Sequence, residues 1–128
     1  MLRLLTVASV LGALVISGVA SAGDAAKGEQ LFQRCKACHS VGEGENDGIG
    51  PNLWGVFESV LGTNRPDYRY SRGLKALGEE GKTWTDELMD AFIANPRQVV
   101  ARSRMIFPGL NDPDDRADVI AYLRQFGG

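Results

Sequence analysis

Cys35-Lys36-Ala37-Cys38-His39 is the stretch that decides the reading of this 128-residue chain. Its two cysteines and its histidine are the only ones in the sequence. C-x-x-C-H is the attachment motif of a c-type haem. Two thiols one helical turn apart can bond to the two vinyl groups on one haem edge. A histidine directly after the second thiol then lies under the iron as an axial ligand. A thioredoxin-like redox centre sits in a βαβ context, and no run of buried strands surrounds Cys35 and Cys38. A structural zinc site wants four Cys/His ligands, and this chain offers three. An ordinary disulfide in an oxidising compartment is the alternative that the motif alone leaves open.

Upstream of the motif, the N-terminus reads as a secretory signal. Arg3 is the positive n-region, Leu4 to Val19 is apolar apart from small and hydroxyl residues, and Ala20-Ser21-Ala22 is an A-x-A cleavage site. The other reading is an uncleaved membrane anchor. The apolar run is at the short edge of the roughly 17–25 residues that a spanning helix needs. Residues 1–22 are therefore expected to be removed. Residues 23–128 then form one domain, 106 residues long, expected to be soluble and periplasmic. Without Arg3, 13 basic side chains face 16 acidic ones, a balance of −3. That balance argues against nucleic acid as a partner.

Helical signals come in pieces. Asp24 is an N-cap, and Leu31, Phe32, Cys35 and Cys38/His39 share one face of a helix expected to run to about Cys38. Residues 40–66 are punctuated by six glycines and Pro51 and read as loop. Ser71 to Leu77 reads as a short helix capped by Ser71 and stopped by Gly78. Another starts at Thr85, with Asp86 and Glu87 in its first turn, a Trp84–Met89 staple and Pro96 at its end. The last opens at Asp112-Pro113-Asp114-Asp115, buries Val119, Ile120, Leu123 and Phe126, and ends at Gly127-Gly128. No segment alternates with period 2. The fold class is all-α, helices and long loops wrapped around one haem.

The iron needs a second axial ligand, and a second histidine is absent. The soft candidates that remain are methionines. Met89 lies on an amphipathic helix face and reads as core. Met105 lies in the loop Arg102-Ser103-Arg104-Met105-Ile106-Phe107-Pro108-Gly109, as a ligand or as a partly buried anchor.

With these motifs in place, the chain resembles class I cytochrome c, closest to the bacterial cytochrome c2 and mitochondrial cytochrome c branch, over residues 24–127. Gly28 and Phe32 look like the family's first-helix packing residues, and Val119, Tyr122 and Leu123 resemble the last helix, which crosses the first there. Gly50-Pro51-Asn52-Leu53 resembles the segment in which the Pro51 carbonyl accepts the bond from the second ring nitrogen of the histidine. Tyr68, Tyr70 and Trp84 fall where the family has aromatics near a haem propionate. Asn95-Pro96 and residues 103–109, Phe107 among them, resemble the methionine loop, which implies Met105 as the second ligand. On residue type alone, Tyr68, Tyr70, Trp84 and Phe107 also read as core aromatics, and Pro51 as a turn.

Two departures stand out. The family often has an arginine facing the propionates after the position of Phe57, where this chain has Glu58-Ser59-Val60-Leu61; Arg65, Arg69 or Arg72 are the available substitutes. Mitochondrial members carry a dense lysine ring, whereas this chain has four lysines. Arg34, Lys36, Arg97, Arg102 and Arg104 read either as a reduced basic collar or as ordinary solvated charge. The resemblance implies a monomeric electron carrier, not an enzyme. Its partners would be redox proteins: a bc1-type donor, a terminal oxidase, or a single periplasmic dehydrogenase. A sensor or enzyme with an open sixth site is the competing class.

Overall fold

The computed structural model describes residues 22–127. Among these, five helices and long connecting loops make up the fold, and β pairing is limited to one isolated bridge, Val60 with Thr83. The helices are α1 Ala25–Phe32, α2 Arg72–Glu79, α3 Asp86–Ala94, α4 Pro96–Val99 and α5 Pro113–Leu123. Apart from Ala22, the cleavage site and the apolar segment before it lie outside the described residues, as does Gly128.

Each of the expected N-caps forms. Asp24 Oδ1 accepts from the N–H groups of Ala26 (2.9 Å) and Lys27 (3.2 Å), and Thr85 Oγ1 accepts from Leu88 N–H at 3.1 Å. Ser71 Oγ takes Leu74 N–H at 3.3 Å, and Asp112 Oδ1 takes Asp114 N–H at 2.9 Å. A side-chain oxygen at this position satisfies a donor that the helix itself leaves unpaired.

Several helix ends differ from expectation. α1 stops at Phe32 and not at Cys38, because Gln33 and Arg34 donate to carbonyls only three residues back. The chain keeps winding in tighter turns through the motif, with Cys38 N–H and His39 N–H both on Cys35 O. Gly78 does not stop α2 but lies inside it, where a Cβ would run into the Leu61 carbonyl. Asn95 closes α3, and Pro96 opens α4 at its first position, where a missing N–H costs nothing. α5 ends at Leu123, ahead of the glycines.

The most extensive helix contact is between α1 and α5. It depends on Gly28, where any Cβ would collide with the Asp118 carbonyl and crowd Tyr122. Phe32 is 1% exposed and its ring lies 5.3 Å from that of Tyr122. Burying such a side chain contributes about 1.5–3 kcal/mol. Val119, Tyr122 and Leu123 complete the buried face, while Ile120 and Phe126 are only half covered. Arg116 ties α5 to α3, donating to Asp90 at 2.7 Å and to the Leu110 carbonyl at 2.8 Å. Met89 and Trp84 are buried in the same core, so the methionine of α3 is a packing residue. The frame of α1, α3 and α5 leaves the loops at residues 33–70 and 100–112 to build the rest.

Candidate haem site

The tight turns after α1 present Cys35 and Cys38 as free, half-buried thiols. Burial, reinforced by the neighbouring Cys38, pushes the Cys35 thiol up, and Arg34 opposes this. His39 follows at once. Its Nδ1 lies 2.7 Å from the Pro51 carbonyl oxygen. A carbonyl only accepts, so Nδ1 carries the proton and Nε2 keeps its lone pair. Burial holds the His39 pKa below its ordinary value, against the opposing pull of the Pro51 bond. A neutral imidazole of this tautomer is the form that ligates iron.

The segment that supplies Pro51 is fastened to the motif. Gly50 N–H donates to Cys38 O at 2.9 Å, and Leu53 N–H to Ser40 O at 2.9 Å. Gly50 faces the imidazole so closely that a Cβ would overlap the ring. Asn52, fully buried, is the hub of this loop. Its Nδ2 donates to Gly42 O (2.8 Å) and Glu45 O (3.0 Å), its Oδ1 accepts from Trp54 N–H (2.9 Å), and its own N–H donates to Asp47 (2.7 Å).

Met105 lies in the loop between α4 and α5, half-buried, with Arg104 and Ile106 exposed on either side. Its N–H donates to Ser103 Oγ at 3.3 Å. Phe107 packs against the core, half-buried. Trp84 is buried edge-on to Phe92, with centroids 5.1 Å apart. Tyr68 and Tyr70 meet edge to face at 4.9 Å. Tyr68 donates its hydroxyl proton to Ile49 O at 2.7 Å, and the Tyr70 oxygen accepts from Arg65 N–H at 3.1 Å. Burial is the main reason the Tyr70 phenol is pushed up.

Arg65 is spent inside the loop, 2.9 Å from Asp47 and 3.3 Å from Glu45 O. Arg69 and Arg72 are exposed and line a cleft with Arg102 and Arg104. The expected collar is thus divided, because Arg34, Lys36 and Arg97 lie outside that cleft. The Asn52 hub and the Arg65–Asp47 pair were not foreseen from the sequence. Asn52 is visible there only as part of Gly50-Pro51-Asn52-Leu53, and nothing local marks its four bonds.

The donor set suits a c-type haem: two thiols on one turn, a neutral imidazole with Nε2 available, and apolar side chains beside them. Leu53, Leu74, Leu88, Phe92 and Phe107 pack on the core yet keep part of their surface uncovered, as partners of a flat apolar body do. The cytochrome c profile matches residues 25–127. The chain belongs to the cytochrome c family. It is 43% identical to cytochrome c2 of Rhodomicrobium vannielii over 123 residues, 95% of either chain. It is 44% identical to cytochrome c2 of Afifella marina over 101 residues, 79% of this chain and 81% of that one. Among solved structures, cytochrome c2 from Rhodospirillum centenum has a TM-score of 0.75 at 38% identity, covering 83% of this chain and 100% of its own. Cytochrome cH from Methylobacterium extorquens has a TM-score of 0.73 at 40% identity, covering 80% and 99%. Family membership brings a covalently attached haem c and the function of a mono-haem electron carrier.

Proposed function

We propose that this cytochrome carries single electrons in the periplasm as a monomer, with His39 and Met105 as its axial ligands and no catalysis at the iron. The observation that carries this reading is the His39–Pro51 bond of 2.7 Å, which sets the imidazole in the ligating tautomer. The bound haem supplies the one-electron Fe(III)/Fe(II) couple. Cys35 and Cys38 anchor it through thioether bonds. The Pro51 carbonyl makes the His39 ring more electron-rich and fixes its plane. Met105, from the loop between α4 and α5, would add a soft thioether that favours ferrous iron and raises the potential. A filled sixth position leaves no place for substrate or gas. Tyr70, Trp84 and Tyr68 would serve the propionates, and Phe107 would shield the ring.

Export by residues 1–22 fits covalent haem attachment outside the cytoplasm, and no helix among the described residues is long and apolar enough to cross a membrane. The partners that suit such a carrier are a bc1-type donor and a terminal oxidase, or a periplasmic dehydrogenase. Potentiometric titration of the purified holoprotein tests the reading. A clearly positive midpoint is expected for His/Met ligation; a low midpoint, or tight carbon monoxide binding by the native protein, would overturn it.

A further inference from the structure

The segment Glu58-Ser59-Val60-Leu61 begins with a residue in an unusual backbone state. Glu58 has φ 63°, in the left-handed region that a glycine enters freely and a residue with a Cβ does not. Its side chain reaches Arg124, the C-cap of α5, with Nη2 3.1 Å from Glu58 Oε1. The same guanidinium holds Asp86, the first residue of α3. Arg124 Nε donates to Asp86 Oδ1 at 2.8 Å, and Nη2 lies 2.6 Å from that oxygen. The guanidinium carbon sits 4.1 Å from the centre of the Phe57 ring. One cation thus joins residues 57–58, the start of α3 and the end of α5.

Between these anchor points runs the backbone pairing that seats Trp84. Glu58 N–H donates to Trp84 O at 2.9 Å, and Trp84 N–H donates to Ser59 O at 3.0 Å. Leu61 N–H continues the pairing to Lys82 O at 3.0 Å, past the Val60–Thr83 bridge. Glu58 is therefore bonded to Trp84 through its backbone and to Arg124 through its side chain. Asp86 lies two residues beyond Trp84 on the other side. A shift of the Glu58 turn passes directly to Trp84, whose indole is buried edge-on to Phe92.

The side chains of Arg124, Glu58 and Asp86 are 39%, 67% and 59% exposed. Ion pairs this exposed contribute little to overall stability. Their effect is local, selecting one conformation for a turn that its own backbone disfavours. A guanidinium suits that task, because it offers donors in fixed directions while its face rests on an aromatic ring.

We propose that Arg124 is a positioning residue of the redox site: it holds Glu58 in the left-handed turn, and the turn holds Trp84 in place. Given the role of Trp84 at the propionates proposed above, on which this rests, a displaced indole leaves propionate charge less compensated. Ferric iron is then favoured and the midpoint falls.

Arg124→Lys is the test, because it keeps the charge and loses the planar fork. In the holoprotein, hydrogen exchange followed by NMR should quicken roughly tenfold at the Glu58 and Trp84 amides, as for a local opening. The Leu53 amide, bonded to Ser40 O in another loop, should exchange as in the native protein. The ferric-to-ferrous ratio should rise about threefold, a fall in midpoint of about 30 mV at 59 mV per tenfold change for one electron. The guanidinium unfolding midpoint should stay close to the native one. In a Glu58→Gly background, where the left-handed turn needs no latch, the same Arg124→Lys change should move neither exchange nor midpoint. Native exchange at Glu58 and Trp84 in Arg124→Lys would overturn the proposal, as would an equal midpoint shift with and without Glu58→Gly. Trp84→Phe separates the two readings. A native midpoint there removes the propionate role of Trp84 and the proposal with it. A shifted midpoint there, with Arg124→Lys native in exchange and midpoint, removes the latch alone.

Discussion

His39 Nδ1 and the Pro51 carbonyl oxygen lie 2.7 Å apart, joining the haem motif to a loop twelve residues downstream. The bond fixes the ring plane and the tautomer together. Because it draws the Nδ1 proton toward a carbonyl, it increases electron density at Nε2, the atom proposed to ligate iron.

Gly50→Ala should disturb this bond directly, since its Cβ would enter the space of the imidazole. Overpacking of this kind costs about 1–3 kcal/mol. A weaker Pro51 bond makes the ligand less basic, so the midpoint should rise. Guanidinium unfolding and potentiometry of the holoprotein check both; an unchanged midpoint would mean that the ring tolerates the methyl group.

Met105→Ala should shift the midpoint the other way. Loss of the thioether should lower it by a sizeable part of the ~0.8 V range that axial ligands span. Haem should remain covalently attached, and carbon monoxide should bind the reduced protein. Retention of the native spectrum and potential would assign the sixth position to another group.

Asn52→Ala strips the 40–55 loop of its hub. Two carbonyls and the Trp54 N–H lose their partner in a fully buried place. At about 1–3 kcal/mol per stranded group, partly relieved by water, the loss should be about 2–4 kcal/mol. Denaturant midpoints of the two holoproteins measure it.

Tyr70 gives a pH dependence of known sign. Its phenol is held above the ordinary tyrosine value of 10.0, mainly by burial, so the folded state keeps the proton longer than the unfolded chain does. The stabilisation is therefore complete below pH 10 and declines as pH rises through the folded-state pKa. Tyr70→Phe should flatten this alkaline decline and cost about 1 kcal/mol at neutral pH, through loss of the Arg65 N–H acceptor. An identical alkaline profile in both proteins would assign the decline elsewhere.

What was legible in the sequence was what is local. The caps at Asp24, Ser71, Thr85 and Asp112 are decided within three residues, and all four form. The C-x-x-C-H spacing is equally local and specified the cofactor. Helix ends were harder, because Gly78 reads as a terminator by residue type yet serves a close approach to Leu61, a contact seventeen residues back. The loops were opaque for the same reason. Arg65 finds Asp47, and Tyr68 finds Ile49, across stretches with no periodicity to reveal them. The basic cleft assembles residues from the start of α2 and from the loop after α4, about thirty positions apart, so along the chain its charges look scattered.

The Asp24 N–H donates to Asp118 Oδ1 at 2.6 Å, across 94 residues, beside the Gly28 crossing. The fold is thus a ring fastened at its two ends, and a contact of such long sequence separation is slow to close. A chain delivered from its N-terminus has Cys35, Cys38 and His39 in place long before α5 emerges to lock α1. The clasp therefore makes the two ends of the domain depend on each other: the Gly28 face of the helix that leads into the motif has its packing partner only when residues 113–123 are present.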